Sequence, residues 1–284
     1  MEIINRKQRM ASLARKLRRE NKTIGFVPTM GALHEGHLRL VEEARQMCDV
    51  VIVSIYVNPT QFNDKKDLEK YPRDLTADAA LLAEYRVDYI FAPDTDEIYP
   101  GGFATYVFVE NLTETLEGAS RPGHFRGVAT VVTILFNTIR PDFAFFGQKD
   151  AQQVAVIKRL TIDLGFDTEI VVVPIVREES GLAMSSRNRL LSDDERQRAA
   201  IIFKALREAK LAARNGERNA ANLAEIVRKT IETEPLAQID YVAVVDSETL
   251  EPIEKVAENG VLIAVAARFG NVRLIDNTIL NRKQ

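Results

Sequence analysis

Along the first part of the chain, short β-branched runs alternate with segments of helical period. Residues 50–57 form a nearly continuous apolar run, which is typical of a strand covered on both faces. Leu38, Val41 and Ala44 recur at spacings of three and four, which predicts a helix beginning near His37 with one buried face. The alternation is that of βαβ units and predicts a mainly parallel sheet. The predicted strands are 23–28, 50–57, 89–92, 143–146 and 169–173, and the predicted helices are 76–85, 128–138 and 152–164.

The pattern changes after Pro174, where a polar segment precedes a new helix start. Ser192 and Glu195 have the spacing of a capping box. Two charged helical stretches, 193–214 and 219–233, lead to β-type runs at 239–245, 261–268 and 272–276, which short connections can pair antiparallel. We therefore predict an α/β fold with a parallel-sheet domain over residues 1–175 and a smaller C-terminal α+β domain over residues 176–284.

Targeting and membrane segments are not predicted. The first 20 residues are rich in arginine and lysine, as in a transit peptide, but they contain two glutamates and no apolar core follows. We predict instead a first surface helix with Ile3, Met10, Leu13 and Leu17 on one side. No window approaches about 18 consecutive apolar residues, the length that a membrane-spanning helix needs.

Charge and cysteine content exclude several classes of protein. The 38 basic and 41 acidic residues give a net charge of −3, which argues against a chain that binds nucleic acid electrostatically. Cys48 is the only cysteine, so an intrachain disulfide framework and a thiolate zinc cluster are excluded. This cysteine usage fits a reducing compartment, and we expect a cytoplasmic protein.

The strongest chemical signal is the segment 28–37, which lies where the first predicted strand ends and the first long helix begins. Ligands of open parallel sheets bind at such strand ends. His34 and His37 are three residues apart at a helix N-terminus, so both imidazoles can face a phosphate that the free N–H groups and the helix dipole also favour. Gly36 allows close backbone approach. The alternatives are a zinc pair and two surface histidines, although metalloprotease histidines are four apart.

Two further segments have the residue types that bind phosphates. In the segment 146–150, Lys149 offers an ammonium group to a phosphate and Asp150 could hold a metal-bound water or a ribose hydroxyl. An N-cap and a solvated charge explain the same two residues equally well. In the segment 181–188, Ser185, Ser186 and Arg187 suit a polyphosphate, and a serine-rich hinge is the alternative.

The segments in combination identify a family. The His-x-Gly-His turn and the Met-Ser-Ser-Arg loop resemble the nucleotidyl-transferring branch of Rossmann-like folds that includes class I aminoacyl-tRNA synthetases. The loop departs from the synthetases' Lys-Met-Ser-Lys-Ser pattern at Ala183 and Arg187. With the segments 26–31, 57–62, 71–73, 123–127, 146–150, 152–153 and 181–188 added, the chain resembles the pantothenate synthetase family from residue 1 to 284.

This resemblance implies a Rossmann-like domain with a C-terminal lid, and a reaction in which pantoate condenses with β-alanine through an enzyme-bound pantoyl adenylate while ATP is cleaved to AMP and pyrophosphate. It also implies magnesium use and a homodimer, with neither nucleic acid nor a membrane as partner. Catalysis is assigned by the same resemblance to His34, His37, Lys149 and Arg187. The ATP-binding residues would be Met30, His34, His37, Gly147, Lys149, Asp150, Val176, Met184, Ser185, Ser186 and Arg187; the pantoate-binding residues would be Met30, Gln61, Phe146 and Gln153; and Asp78 would contact magnesium.

Two other functions compete with this interpretation. A nucleotidyltransferase with a phosphate acceptor would share the turn after the first strand but would retain the nucleotide monophosphate in its product. A nucleotide-binding module without catalysis would bind ATP and show no turnover. Release of free AMP distinguishes the ligase from both.

Overall fold

Two sheets organise the chain, one in each of two units. The structure is a computed structural model, and it describes residues 1–63, 65–256 and 260–280. The first unit comprises Met1–Gly147 and Val156–Val173, and the second comprises Gln148–Ala155 and Pro174–Gln284. The segment Gln148–Ala155 therefore groups with the C-terminal part of the chain. The domain boundary near residue 175 stays a prediction.

The first unit contains a six-stranded sheet in which every paired strand is parallel. The predicted Rossmann-like sheet is thus confirmed. Its first strand was not predicted, because it has three residues and buries only Ile4. The strands are β1 (Glu2–Ile4), β2 (Ile24–Thr29), β3 (Val50–Ile55), β4 (Tyr89–Phe91), β5 (Phe143–Gly147) and β6 (Glu169–Val173), in the order β1-β4-β3-β2-β5-β6.

The strand order places a topological switch point at β2. The chain proceeds from β2 through β3 to β4 on one side of the sheet and then returns to β5 on the other side of β2. Ligands of open α/β sheets bind outside the carboxyl ends of the strands at such a point. The residues that follow Thr29 therefore occupy the position where a ligand is expected.

Helices of the first unit cover this sheet. In α2, Leu38, Val41 and Ala44 pack in one core cluster with Val51 and Val53 of β3, as the periodicity predicts. The N-terminal helix α1 is also confirmed, although Ile3 lies in β1 and is exposed rather than on the helix. The helices are α1 (Lys7–Arg19), α2 (Glu35–Met47), α3 (Lys65–Lys70), α4 (Leu75–Glu84), α5 (Thr95–Ile98), α6 (Leu116–Ser120), α7 (His124–Ile139) and α8 (Ala151–Asp163), and the second unit includes residues 151–155 of α8.

The second unit is a three-stranded antiparallel sheet with helices, which confirms the predicted α+β architecture. Its strands are β7 (Ala237–Asp246), β8 (Val261–Phe269) and β9 (Val272–Leu280), and its helices are α9 (Asp193–Arg198), α10 (Ile201–Arg214) and α11 (Ala220–Glu232). The capping box of Ser192 and Glu195 is present. The predicted helix 193–214 is wrong in one respect, because it is interrupted at Ala199 and Ala200.

The last strand also differs from its prediction. It continues to Leu280 instead of ending at Asp276, because the polar pair Asp276 and Asn277 interrupts the apolar pattern without ending the pairing with β8. Both side chains are buried. Within the described part of the chain, no helix has the length and apolarity of a membrane span.

Candidate active site

The loop after β2 has an unusual backbone. Gly31 and Ala32 both have positive φ, +79° and +52°. Glycine adopts this conformation readily, whereas alanine does so at a cost. A Cβ at Gly31 would lie 2.7 Å from Oδ2 of Asp78, so close packing also requires glycine there. The loop therefore needs external support to hold its shape.

Asp78 supplies that support from the first turn of α4. Its Oδ2 accepts a hydrogen bond from the backbone N–H of Ala32 at 3.0 Å, and its Oδ1 accepts one from Leu33 at 2.9 Å. Oγ1 of Thr29 accepts the N–H of Gly31 at 3.2 Å. Three consecutive N–H groups of the loop are thus bonded, and the Asp78 side chain that bonds two of them is buried. The sequence identified Asp78 only as a magnesium contact, which stays a prediction.

The two histidines lie directly after this loop. His34 is the N-cap of α2, and its Nδ1 accepts the N–H of Gly36 at 3.1 Å. This acceptor role places the proton of a neutral His34 ring on Nε2. The ring centroids of His34 and His37 are 4.1 Å apart. The predicted proximity of the two imidazoles is confirmed, and both sit at the helix N-terminus, where the helix dipole favours an anion.

A second group in the first unit centres on Gln61, which is buried. Its Nε2 lies 2.9 Å from Sδ of Met30, so two residues predicted to bind pantoate are in contact. Nδ2 of Asn58 donates to Gln61 Oε1 at 3.1 Å and to the carbonyl of Gly127 at 3.0 Å. Asn58 thereby fixes which end of the Gln61 amide is the donor, a role that the sequence did not predict.

The main chain of Gln61 is also held. Nδ1 of the buried His124 lies 2.8 Å from the carbonyl oxygen of Gln61.

Of the remaining predicted residues in this unit, Phe146 is buried in β5 and Gly147 ends that strand. A Cβ at Gly147 would meet no atom within 4 Å, so the chain itself does not require glycine at that position.

The second unit contains the other residues predicted to bind phosphates. Lys149 and Asp150 lie in a short 3-10 turn, Gln148–Asp150, that leads into α8, and Lys149 Nζ is 3.5 Å from Asp150 Oδ1. Nδ2 of Asn277 donates to the carbonyl oxygens of Gln148 and Lys149, both at 3.0 Å. Gln153 is partly buried in the first turn of α8.

A hairpin in the same unit presents the Met-Ser-Ser-Arg segment. The N–H of Met184 donates to the carbonyl of Val176 at 3.0 Å, which joins two predicted ATP-binding residues. Oγ of Ser185 accepts the N–H of Arg187 at 3.3 Å and caps a 3-10 turn over Ser186–Leu190. Arg187 is exposed and Ser186 is partly buried. The two serines and the guanidinium are thus available to an anion.

Three polar side chains, of which Asn188 is buried, hold the base of this hairpin. Nδ2 of Asn188 donates to Oε1 of Glu178 at 2.7 Å and to the carbonyl of Ala183 at 3.0 Å. Arg196 donates to the other oxygen of Glu178 at 2.7 Å. Burial opposes ionisation of Glu178, but the hydrogen bonds from Arg196 and Asn188 outweigh it and hold the pKa of Glu178 below its ordinary value.

The parallel sheet, with a helix N-terminus at the switch point beside β2, defines a protein of the Rossmann-like class, in which nucleotides commonly bind at this position. The family model described as pantoate-beta-alanine ligase matches residues 2–279. The chain belongs to the pantoate–β-alanine ligase family, which confirms the resemblance seen in its motifs.

Relatives and solved structures agree with this assignment. The chain is 54% identical over 280 residues to the pantothenate synthetase of Heliobacterium modesticaldum, covering 99% of each chain. It is 53% identical over 280 residues to that of Thermotoga petrophila, covering 99% of this chain and 100% of the relative. A crystal structure of pantothenate synthetase from Thermus thermophilus superposes with a TM-score of 0.91 at 45% identity, covering 98% of this chain and 99% of that one. The Francisella tularensis pantoate–β-alanine ligase, crystallised with β,γ ATP and β-alanine, has a TM-score of 0.80 at 38% identity, with 98% and 97% covered.

Proposed function

We propose that this chain catalyses the reaction of its family in two steps, with the residues described above in defined roles. The protein is an ATP-dependent ligase that condenses pantoate with β-alanine, as its family and its relatives indicate. The observation that carries the residue assignment is the adjacent pair His34 and His37 at the N-terminus of α2, beside the carboxyl end of β2.

In the first step, a carboxylate oxygen of pantoate attacks the α-phosphorus of ATP, and pyrophosphate leaves. Phosphoryl chemistry of this kind needs positioning and charge stabilisation, and it needs no protein nucleophile. Nε2–H of His34 and the ring of His37 are donors to phosphate oxygens, and the dipole of α2 favours negative charge at the same place. Because the Asp78 contacts fix the preceding loop, these donors are preorganised.

Pantoate is assigned to Met30, Gln61, Phe146 and Gln153. The neutral amides orient the hydroxyl and carboxylate of the acid without an ion pair that would stabilise the attacking anion in the ground state. Asn58 supports this assignment, because its bond to Oε1 of Gln61 directs the amide nitrogen toward Met30 and its surroundings.

The second unit supplies further groups for the phosphates. Lys149 is a compact point charge for the phosphate that is transferred, and Arg187 neutralises the leaving pyrophosphate together with the hydroxyls of Ser185 and Ser186. Val176 and Met184, which are joined by a backbone hydrogen bond in the hairpin, complete the residues assigned to ATP. No atom lies within 4 Å of a Cβ position at Gly147, so no neighbouring group opposes the approach of the nucleotide to this backbone.

Magnesium is part of the proposal, and the residues present fit an ion that arrives with ATP. Across the described ranges, no three His, Cys, Asp or Glu side chains form a metal site. Magnesium is commonly bound through one or two carboxylates together with substrate phosphates, on which it neutralises charge. Asp150, with 49% of its side chain exposed, suits this role better than Asp78, whose two oxygens accept backbone N–H groups.

In the second step, the amine of β-alanine attacks the carbonyl carbon of pantoyl adenylate and displaces AMP. The amine must be neutral, although alkyl amines titrate near pH 10. Among the described residues we assign no general base, and the neutral fraction of β-alanine is the reacting species. The homodimer implied by the family and a cytoplasmic location belong to the same proposal.

The test is AMP formation by the purified protein with ATP and magnesium, with pantoate and β-alanine added separately and together. Pantothenate and AMP should appear in equal amounts only when both substrates are present, with mass spectrometry as the readout. A product that retains the nucleotide monophosphate would indicate a nucleotidyltransferase instead. Binding of ATP without turnover would indicate a binding module. Sedimentation of the same sample tests the dimer.

A further inference from the structure

The last strand of the second unit carries two consecutive buried polar residues. Asp276 and Asn277 are 4% and 3% exposed. Consecutive side chains of a strand leave opposite faces of the sheet. The two residues therefore reach two different segments, and each of these segments includes residues assigned above to ATP.

Asn277 holds the segment that contains Lys149. Its Nδ2 donates to the carbonyl oxygens of Gln148 and Lys149, and its Oδ1 accepts Nε2 of Gln148, all at 3.0 Å. Both hydrogens of the amide and its oxygen are thus used on one 3-10 turn. No other residue type of similar size offers two donors and an acceptor in this geometry.

Asp276 holds the hairpin that leads to Ser185 and Arg187. Its two carboxylate oxygens accept NH1 and NH2 of Arg177 at 2.6 and 3.0 Å. NH1 of Arg177 also donates to the carbonyl of Gly181 at 3.0 Å, and the guanidinium carbon lies 3.9 Å from the ring centroid of Phe203. The arginine is thereby fixed from three sides.

Stability alone does not explain this polar pair. A buried ion pair is often no more stabilising than apolar side chains of similar volume, because both charges lose their hydration. A buried amide with every polar atom bonded, as in Asn277, avoids the cost of burial but gains only a modest net stability. What such groups provide at little cost in stability is a defined direction for the segments that they bond.

We propose that Asn277 and Asp276 are positioning residues for catalysis, through Lys149 and through the hairpin of Arg177 respectively. The proposal rests on the function proposed above for Lys149, Ser185 and Arg187. Neither residue needs to touch ATP. A displacement of about 1 Å at a phosphate-binding group costs on the order of 100-fold in rate, so small losses of support have large effects.

The first test compares Asn277→Ala with Leu274→Ala, a matched control in the same strand. Leu274 packs in the apolar core of this unit. We expect kcat for AMP formation to fall about 10- to 100-fold in Asn277→Ala, with KM for β-alanine within about twofold of wild type. Leu274→Ala should lower the urea midpoint at least as much and keep kcat. Equal kcat losses in the two variants would overturn the proposal.

A double-mutant cycle tests whether Asn277 acts through Lys149. Single-turnover adenylate formation is measured for Lys149→Ala, Asn277→Ala and the double variant. If Asn277 acts by placing Lys149, the double variant should be as slow as Lys149→Ala. Multiplicative losses would overturn that route.

The role of Asp276 is tested with a double variant that removes both charges of the buried ion pair, Arg177→Met with Asp276→Leu. If the pair only stabilises the fold, this apolar replacement should keep both stability and activity. We expect it to keep the urea midpoint and to lower kcat by 10-fold or more, on the order given above for a displaced group. Retention of full activity would overturn this half of the proposal.

Hydrogen exchange separates failure of this inference from failure of the proposed function. Asn277→Ala should raise amide exchange at residues 148–152, while Leu274→Ala should not raise it selectively there. This readout needs no turnover. If wild type forms no AMP, the proposed function fails, and exchange still decides the structural part; unchanged exchange at 148–152 would overturn it.

Discussion

Replacing Asp78 with alanine should uncouple the loop after β2 from helix α4. The carboxylate bonds the N–H groups of Ala32 and Leu33 in a buried setting. Each buried N–H left without an acceptor costs about 1–3 kcal/mol, so the two together cost about 2–6 kcal/mol. Because the loop can relax toward water, we expect the free energy of unfolding to fall by about 2–4 kcal/mol. A domain with about 5–15 kcal/mol of stability would still fold.

Urea unfolding at pH 7 measures this loss, with Asp74→Ala as the control in the same helix. Asp74 is exposed and accepts the N–H of Ala77 as the N-cap of α4, so its replacement should cost about 1 kcal/mol. Asp78→Asn keeps one acceptor and should fall between the alanine variant and wild type. A free energy within about 0.5 kcal/mol of wild type for Asp78→Ala would refute the reasoning.

Kinetics of the same variants separate positioning from metal binding. If Asp78 holds the loop, kcat should fall about 10- to 100-fold and excess magnesium should not restore it. If Asp78 contacts magnesium, the apparent magnesium affinity should fall and a higher concentration should restore the rate. The Asp150→Asn variant gives the comparison, because we expect the magnesium dependence to shift there.

Three further predictions concern single groups. Lys149→Ala should slow adenylate formation about 100- to 1000-fold with the fold intact, since one preorganised charge is removed, and a change below about threefold would count against its role. Burial raises the pKa of the Cys48 thiol to about 11, so alkylation at pH 8 should be slow in the folded protein. Because the thiol ionises near pH 9 in the unfolded chain, the free energy of unfolding should decline as the pH rises from about 9 to 11. Cys48→Ala should remove that decline. The pKa of Glu178 is lowered in the folded protein, so its contribution to the free energy of unfolding is present above the unfolded value of 4.5 and is lost as the pH falls through the folded pKa. Glu178→Gln should therefore weaken the dependence of the free energy of unfolding on pH in this acidic range.

The fold could be predicted where hydrophobic period is unambiguous. Strand β3 and helix α2 bury most of their apolar positions, and each was predicted to within a few residues. Strand β6 was predicted at its observed bounds, although only Val173 is buried in it. Strand β1 could not be predicted, since a three-residue edge strand has no period to detect. The break between α9 and α10 falls at Ala199 and Ala200, two residues that favour a helix, so propensity gave no sign of it.

The sequence pointed to the loops of the candidate site but not to the side chains that hold those loops in place. The motifs around His34, Lys149 and Ser185 are contiguous in sequence, so their residue types indicate phosphate binding directly. The residues that bond those loops lie far away along the chain: Asp78 is 46 residues from Ala32, and Asn277 is 128 residues from Lys149. A single sequence contains no signal for such pairs, because any polar residue in a predicted helix or strand is first read as solvent-facing.

Asp78 and Asn277 hold loops of the candidate site in the same way. Each loop has backbone N–H or C=O groups with no hydrogen-bond partner inside the loop, and a buried side chain from a helix or strand forms the hydrogen bonds instead. The carboxylate of Asp78 does this for donors, and the amide of Asn277 does it mainly for acceptors. Since helices and strands are more rigid than loops, this arrangement gives a fixed position to the groups that we propose to bind phosphate. Substitution of either support should therefore reduce kcat by more than its effect on folding would explain.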